Sequence, residues 1–137
     1  MCVEEEEGCG VRVFSESGEL YVVKVDRCLN KRVKDLQMRK VCDYLIISQN
    51  TIYLLELKCG TVRPGDEEEV REKFDNVEDF LRRMGITAMV KRILYAKKLS
   101  SMVSHNIKLV RKKIRGDIFT EYLRRFETGG SLILEAV

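Results

Sequence analysis

The sequence predicts a small α/β domain on three observations: two short apolar runs that pair as a β-hairpin, a strongly amphipathic helix after them, and a second β-rich run beyond that helix. The hairpin comes from residues 42–47 (CDYLII) and 52–58 (IYLLELK), separated by the polar stretch 48–51. Their length and their β-branched and aromatic content fit strands. After Pro64-Gly65, residues 66–84 form the clearest helix. Asp66 is the candidate N-cap, acids fill the first turn, Arg82 and Arg83 the last, and Gly85 stops it. Val70, Phe74, Val77, Leu81 and Met84 make one stripe. Glu67/Arg71, Glu69/Lys73, Glu78/Arg82 and Asp79/Arg83 are acid-to-base pairs four apart, so the other side reads as solvated.

The flanking elements follow the same rules. Residues 11–14 and 19–25, split by the polar stretch 15–18, read as a first hairpin. Residues 26–40 fit a helix through Leu29, Val33 and Leu36 and fit an exposed loop equally well. Residues 86–96 read as a strand, and Leu99, Val103, Ile107, Val110 and Ile114 mark a helix ending before Gly116. A further short helix is expected over 117–127, with Gly129-Gly130 breaking it before a closing strand at 132–137.

At 137 residues and 45% apolar content the chain is expected to form one domain over residues 10–137, preceded by a disordered acidic tail at 1–9 that holds the glutamates 4–7. No apolar run approaches the roughly eighteen residues of a membrane span, and the first residues are acidic where a secretory signal is basic. The expected location is therefore the cytoplasm. Gln and Asn are scarce against 34% charged residues, a balance that leans towards a thermophilic source. Five cysteines without a C-x-x-C pair indicate neither a secreted disulfide framework nor a zinc ribbon. Most read as small core residues or free thiols, and in a thermophile a bond from Cys2 or Cys9 to another thiol becomes more plausible. A zinc site of Cys28, Cys42 and Cys59 lacks any recognised ligand spacing.

The net charge of +3 conceals a separation. Residues 81–115 hold eleven Lys/Arg and no acid, while the remainder is net −8. A basic block of this kind fits either a solvated helix face or a polyanionic partner, whose bound counterions it would release. Lys91, Arg92, Lys97, Lys98, Lys108, Arg111, Lys112, Lys113 and Arg115 are the candidate phosphate contacts. His105 is the only histidine, which excludes His-rich metal sites and reads as a polar helix position; Ser100, Ser101 and Ser104 read as capping and surface residues.

Chemistry concentrates on the hairpin. Residues two apart on a strand share a face, so Glu56 and Lys58 project together while Leu55 and Leu57 project into the core. If the hairpin turns about Gln49-Asn50, residues whose numbers sum to 99 lie opposite one another, which sets Asp43 across from Glu56. Facing carboxylates repel unless a positive group lies between them or one takes up a proton, and a divalent cation is the economical answer. Hard oxygen ligands suit Mg²⁺ or Mn²⁺, with Lys58 placed to hold a phosphate oxygen or an attacking water. The plainer reading makes Glu56 and Lys58 a same-face pair on a solvated edge strand, with Asp43 incidental.

Asp43, then Glu56-Leu57-Lys58 at the end of an apolar strand, then an amphipathic helix, resembles the PD-(D/E)XK nuclease superfamily over roughly residues 41–95. The resemblance implies a restriction-endonuclease-like mixed central β-sheet flanked by helices, commonly in α-β-β-β-α-β order. It implies a metal-dependent endonuclease acting on DNA, of the Holliday-junction-resolvase or restriction type, with RNA as a further possible substrate and a homodimer as a common assembly. Asp43, Glu56 and the carbonyl of Leu57 would be metal ligands, and Lys58 catalytic. Position 42 is Cys where the signature has Pro. The additional upstream acid that many members carry on an N-terminal helix has no clear counterpart; Glu16, Glu19 and Asp26 are the nearest candidates, and Asp26, ending an apolar strand, is the choice among them. The Gln and Tyr of RecB-like members are missing from the helix after the lysine. A catalytically inactive nucleic-acid-binding or assembly module on the same fold is the alternative.

Overall fold

The computed structural model describes residues 2–4, 9–37 and 39–137, and the protein is a mixed α/β structure with two β-sheets. The strands are β1 (Cys2–Glu4), β2 (Gly10–Ser15), β3 (Tyr21–Lys24), β4 (Tyr44–Ser48), β5 (Thr51–Val62), β6 (Met89–Leu99), β7 (Asp117–Phe119), β8 (Arg125–Glu127) and β9 (Leu132–Ala136). The helices are α1 (Asn30–Arg32), α2 (Asp66–Arg83), α3 (Ser101–His105) and α4 (Ile107–Ile114). The larger sheet has the order β3-β4-β5-β6-β7, and the smaller β1-β2-β9-β8. Antiparallel pairing joins β3, β4 and β5, and parallel pairing joins β5, β6 and β7. None of the described helices is long and apolar enough to cross a membrane.

β5 is the central strand and is covered on both faces. Leu54, together with Leu94 and Ala96 of β6, packs beneath α2 and α4 through Val70, Phe74, Val77, Val110 and Ile114. Tyr53, Leu55 and Leu57 face the other way, onto Val11, Val13, Leu132 and Leu134 of the smaller sheet. A strand buried on both sides reads as a near-continuous apolar run, which is how 52–57 reads. The hairpin register is the expected one: Tyr44 lies opposite Leu55, Ile46 opposite Tyr53 and Ser48 opposite Thr51. Gln49 enters the left-handed region at φ 53° to close the two-residue turn.

Several expectations give way to tertiary pairing. β2 does not form a hairpin with β3. It lies between β1 and β9 in the smaller sheet, while β3 adds to the edge of the larger one. Cys2–Glu4, within the segment expected to be a tail, pairs with β2, and Cys9 is buried; residues 5–8 of that segment lie outside the described residues. Segment 25–36 is neither one helix nor a plain loop, since irregular turns, α1 and a short 3-10 turn at Lys34–Leu36 follow one another. The helix expected over 117–127 is two strands. Arg115 leaves α4 in the left-handed region at φ 57°, and Ile118 and Phe119 then complete the sheet beside β6. A Cβ at Gly116 would lie 2.6 Å from the Arg92 carbonyl oxygen, so only glycine fits this crossing. Helix α2 starts at its proposed cap, Asp66, one residue earlier than that cap implies. Gly65, at φ 98°, is the N-cap, and Asp66 instead accepts a hydrogen bond from the Arg63 amide at 2.8 Å.

Cys9 and Cys59 form a disulfide across 50 residues that ties the segment before β2 to β5. Closing a loop of that size restricts the unfolded chain by about 4 kcal/mol in the chain-entropy account. With Cys59 so engaged, Cys28 exposed and Cys42 buried, these three thiols do not gather for zinc. The sheets are also joined by hydroxyls, Ser48 Oγ lying 2.6 Å from both Ser15 Oγ and Ser131 Oγ.

Arg92 is the chief correction to the expected basic surface. Its side chain is 6% exposed. The guanidinium pairs with Glu78, donates to Asp75 at 2.7 Å and donates to the Ile114 carbonyl at 3.0 Å. It fastens α2 and the end of α4 to β6, and with four of its five N–H donors engaged inside the fold it is not part of an exposed basic surface. Arg92→Ala is expected to lower the unfolding free energy by about 1–3 kcal/mol, because the Ile114 carbonyl loses its partner while the two acids stay partly solvated. A lower denaturant midpoint at unchanged slope would register this, with exposed Lys112→Ala within about 0.5 kcal/mol of wild type.

Candidate active site

Asp43 stands at the last position before β4, so the hairpin register that pairs Tyr44 with Leu55 places it across from Glu56. There the ladder ends and the side chain takes over from the backbone: Asp43 Oδ2 accepts a hydrogen bond from the Leu57 amide at 2.8 Å. Its carbonyl accepts the amides of Val25 at 2.9 Å and Asp26 at 3.4 Å, which locks the end of β3 to the same point. Asp43 is 8% exposed and Glu56 only 1%. The pair is therefore not a solvated edge feature. Two carboxylates are held inside the structure on its central hairpin.

What compensates them is a lysine that the sequence pattern assigns to solvent. Lys73 of α2 donates to Glu56 Oε2 at 2.7 Å, while its i,i+4 partner Glu69 is farther, at 3.9 Å. Lys58 Nζ stands 3.9 Å from the same Oε2. Glu56 Oε1 is buried with no hydrogen-bond partner among the described residues. Burial pushes the Lys73 ammonium down, but the attraction and hydrogen bond of Glu56, with Asp43 and Glu69 behind it, hold it above the usual lysine value. Burial, then the charges of Glu56 and Asp43, push the neighbouring Cys42 thiol well up, so it remains protonated and packs as a small apolar group.

The remaining candidates divide sharply. Leu57 is buried at 4% and contributes backbone only. Asp26 reaches the Asp43 carbonyl through its amide, yet among the described residues no three His, Cys, Asp or Glu side chains gather as a metal-holding group, so it does not complete a three-acid set. Lys91 is turned away from α2 and donates to the Thr128 carbonyl at 3.1 Å; Lys113 pairs with Glu67 at 3.3 Å. Lys98, Lys108, Arg111, Lys112 and Arg115 are exposed and Lys97 half-buried. His105 is an exposed helix residue, and Ser100 caps α3 by accepting the Val103 amide at 3.2 Å.

The donor set suits a hard divalent cation. Mg²⁺ commonly takes one or two carboxylates and keeps several waters, and the unpartnered Glu56 oxygen beside Asp43 is a ligand of that kind. Asp43 and Glu56 are the residues that would hold Mg²⁺ or Mn²⁺. Comparison with protein-family models, with curated protein sequences and with solved structures finds no match.

The Lys73–Glu56 pair sets a pH dependence. Because the folded-state value of Lys73 lies above its ordinary 10.5, the stabilisation is fully present below that value and is lost as pH rises through the folded-state one. Lys73→Met is expected to cost about 3 kcal/mol near neutrality, the lower end for breaking a buried pair, since Lys58 remains nearby. Thermal melts from pH 6 to 11 should show a constant gap between wild type and variant up to about the ordinary lysine range, narrowing above it.

Proposed function

We propose that this chain is a divalent-cation-dependent nuclease that hydrolyses DNA phosphodiester bonds. One observation carries the reading: on the central strand, a fully buried Glu56 carboxylate keeps one oxygen without a hydrogen-bond partner among the described residues, across from Asp43 and two strand positions from Lys58 on the same face. A purely structural ion pair has no use for that orphan oxygen, which costs stability where it stands. The order β3, β4, β5, α2, β6, interrupted only by the short turns and three-residue α1 between β3 and β4, supports the reading further, since it resembles the β-β-β-α-β succession expected of a restriction-endonuclease-like sheet. The helix that opens the commoner order has no counterpart here, for the element before β3 is the strand β2.

Bound Mg²⁺ or Mn²⁺ would supply Lewis-acid polarisation of the phosphate and a more acidic water. The chain's own residues do the rest. Asp43 is oriented by the Leu57 amide, and Lys73 orients Glu56 through its hydrogen bond to Oε2. Lys58, less buried than either acid, extends its ammonium towards a phosphate oxygen or the attacking water. The segment joining β3 to β4 and the helix α2 flank this point on either side. Duplex or branched DNA is the substrate class proposed, with RNA a test case and a homodimer the proposed assembly.

A second reading rests on the same lysines. Two ammonium groups already balance two carboxylates, which is the charge arrangement of a nucleic-acid-binding or assembly module that does not cut.

The discriminating assay incubates linear, nicked, single-stranded and four-way DNA, and an RNA duplex, with Mg²⁺, Mn²⁺ or EDTA. Cleavage is expected only with the metals. Lys58→Met should slow it about 10²–10³-fold, as loss of one charge-stabilising donor does, and Asp43→Asn and Glu56→Gln at least as much. Tight binding without cutting of any substrate, unaltered in Lys58→Ala and Glu56→Ala, would establish the module instead.

A further inference from the structure

The basic block at 81–115 is the conspicuous charge feature of the sequence, but it lies on the wrong flank of α2. Lys73 and Asn76 face one flank, where Asn76 accepts from Arg39 at 2.8 Å and donates to the Lys40 carbonyl at 2.7 Å. Glu67 and Glu78 face the opposite one, where Lys113 of α4 and Arg92 meet them. The Asp43–Glu56 pair belongs to the first flank and α4 to the second. Between them runs α2 itself, carrying eight Asp/Glu against four Lys/Arg. Its outer surface presents Glu68, Glu69, Glu72 and Asp75, with Arg71 among them and Lys40 and Asn76 at the edge nearer the site, around a polar groove of about 490 Å³; Glu72 pairs with Lys40 at 4.0 Å and Asp75 with Arg71 at 3.9 Å. A polyanion lying on α4 would have to cross this net acidic helix to reach the site.

The approach from the other side is positive. Between residues 24 and 36 five cations, Lys24, Arg27, Lys31, Arg32 and Lys34, stand against two acids, Asp26 and Asp35, and all five cations are exposed. The segment is bonded to the site, since the amides of Val25 and Asp26 donate to the Asp43 carbonyl. It is held down by Leu29, Val33 and Leu36, which pack into the core beneath α2, so the charged side chains point outward from a fixed base. Apolar anchors inward and cations outward, beside a buried acid pair, form a platform for a phosphate backbone.

We infer that nucleic acid reaches the site across segment 24–34, with Lys31, Arg32 and Lys34 as backbone contacts, and that α4 does not carry the strand to be cut. This rests on the nuclease reading for the word cut, but the binding surface stands on charge and position alone. The test separates the two. Fluorescence anisotropy with a labelled DNA duplex, in EDTA and over a series of salt concentrations, compares wild type, K31Q/R32Q/K34Q and K108Q/R111Q/K112Q, each checked for unchanged melting. The first variant should bind more weakly, with a log–log salt slope shallower by about 2–3, since each lost phosphate contact removes about 0.9. The second should keep the wild-type slope to within about one contact. An unchanged slope in the first variant, an equal loss in both, or no duplex binding by wild type would overturn the inference. Cleavage with Mn²⁺ is scored separately on the same proteins: binding through segment 24–34 without any cutting would sink the nuclease reading and leave this surface in place.

Discussion

A carboxylate 1% exposed on the central strand of a sheet is the constraint around which this molecule is arranged. Leaving water costs an ionised group several kcal/mol even after the protein relaxes, so Glu56 demands cationic partners and a rigid frame to hold them. Lys73 supplies the nearest charge, and α2 must then lie over β5 in the one rotation that turns position 73 inward. Arg92 fixes that rotation from the far flank through Asp75 and Glu78, and the contacts of Arg39 and Lys40 fix it from the near one. The smaller sheet closes the other face of β5, with the disulfide at Cys59 one residue beyond Lys58. Site and scaffold are therefore hard to separate: the contacts that orient α2 also set the distance between ammonium and carboxylate.

Legibility in the sequence followed the range of the interaction. The β4–β5 register is local, fixed by a two-residue turn, so the opposition of Asp43 and Glu56 can be counted off the chain. Helix α2 is nearly as plain, because its stripe and end charges are all within one element. Lys73 is not, since beside Glu69 it has the pattern of a solvated pair, and only the helix's orientation in space reveals Glu56 at 2.7 Å. Glu67 and Glu78 mislead in the same way, having exchanged their expected helical partners for Lys113 and Arg92. Arg92 looked like one more exposed charge in a basic run, although a strand residue flanked by apolar neighbours under a helix has little access to water. β2 and β3 read as a hairpin because their spacing allows one; the smaller sheet takes β2 away through pairing with β9, more than a hundred residues later. Strands β7 and β8 are three residues each, too short for periodicity to register.

The charge separation takes on a different meaning in three dimensions. A linear window ranks 81–115 first, yet Lys91, Arg92 and Lys113 of that block are engaged within the fold. Segment 24–34 draws no notice in one dimension because an acid interrupts it and its secondary structure is ambiguous. Its importance is positional: it is bonded to Asp43 and lies on the flank of α2 where the buried acids are. An acidic helix between two basic surfaces also gives the molecule a direction for binding a polyanion, which neither net charge nor composition conveys.

The central claim is that Asp43 and Glu56 form a place for a divalent cation. A crystal soaked in Mn²⁺ and measured for anomalous scattering addresses it without reference to any substrate. The account requires a peak between the two carboxylates, with Glu56 Oε1 among its ligands and the Lys73 ammonium moved away from Oε2. No peak, with Lys73 still in hydrogen-bond contact with Glu56, would mean that the lysines alone satisfy the buried acids and that the site binds no metal.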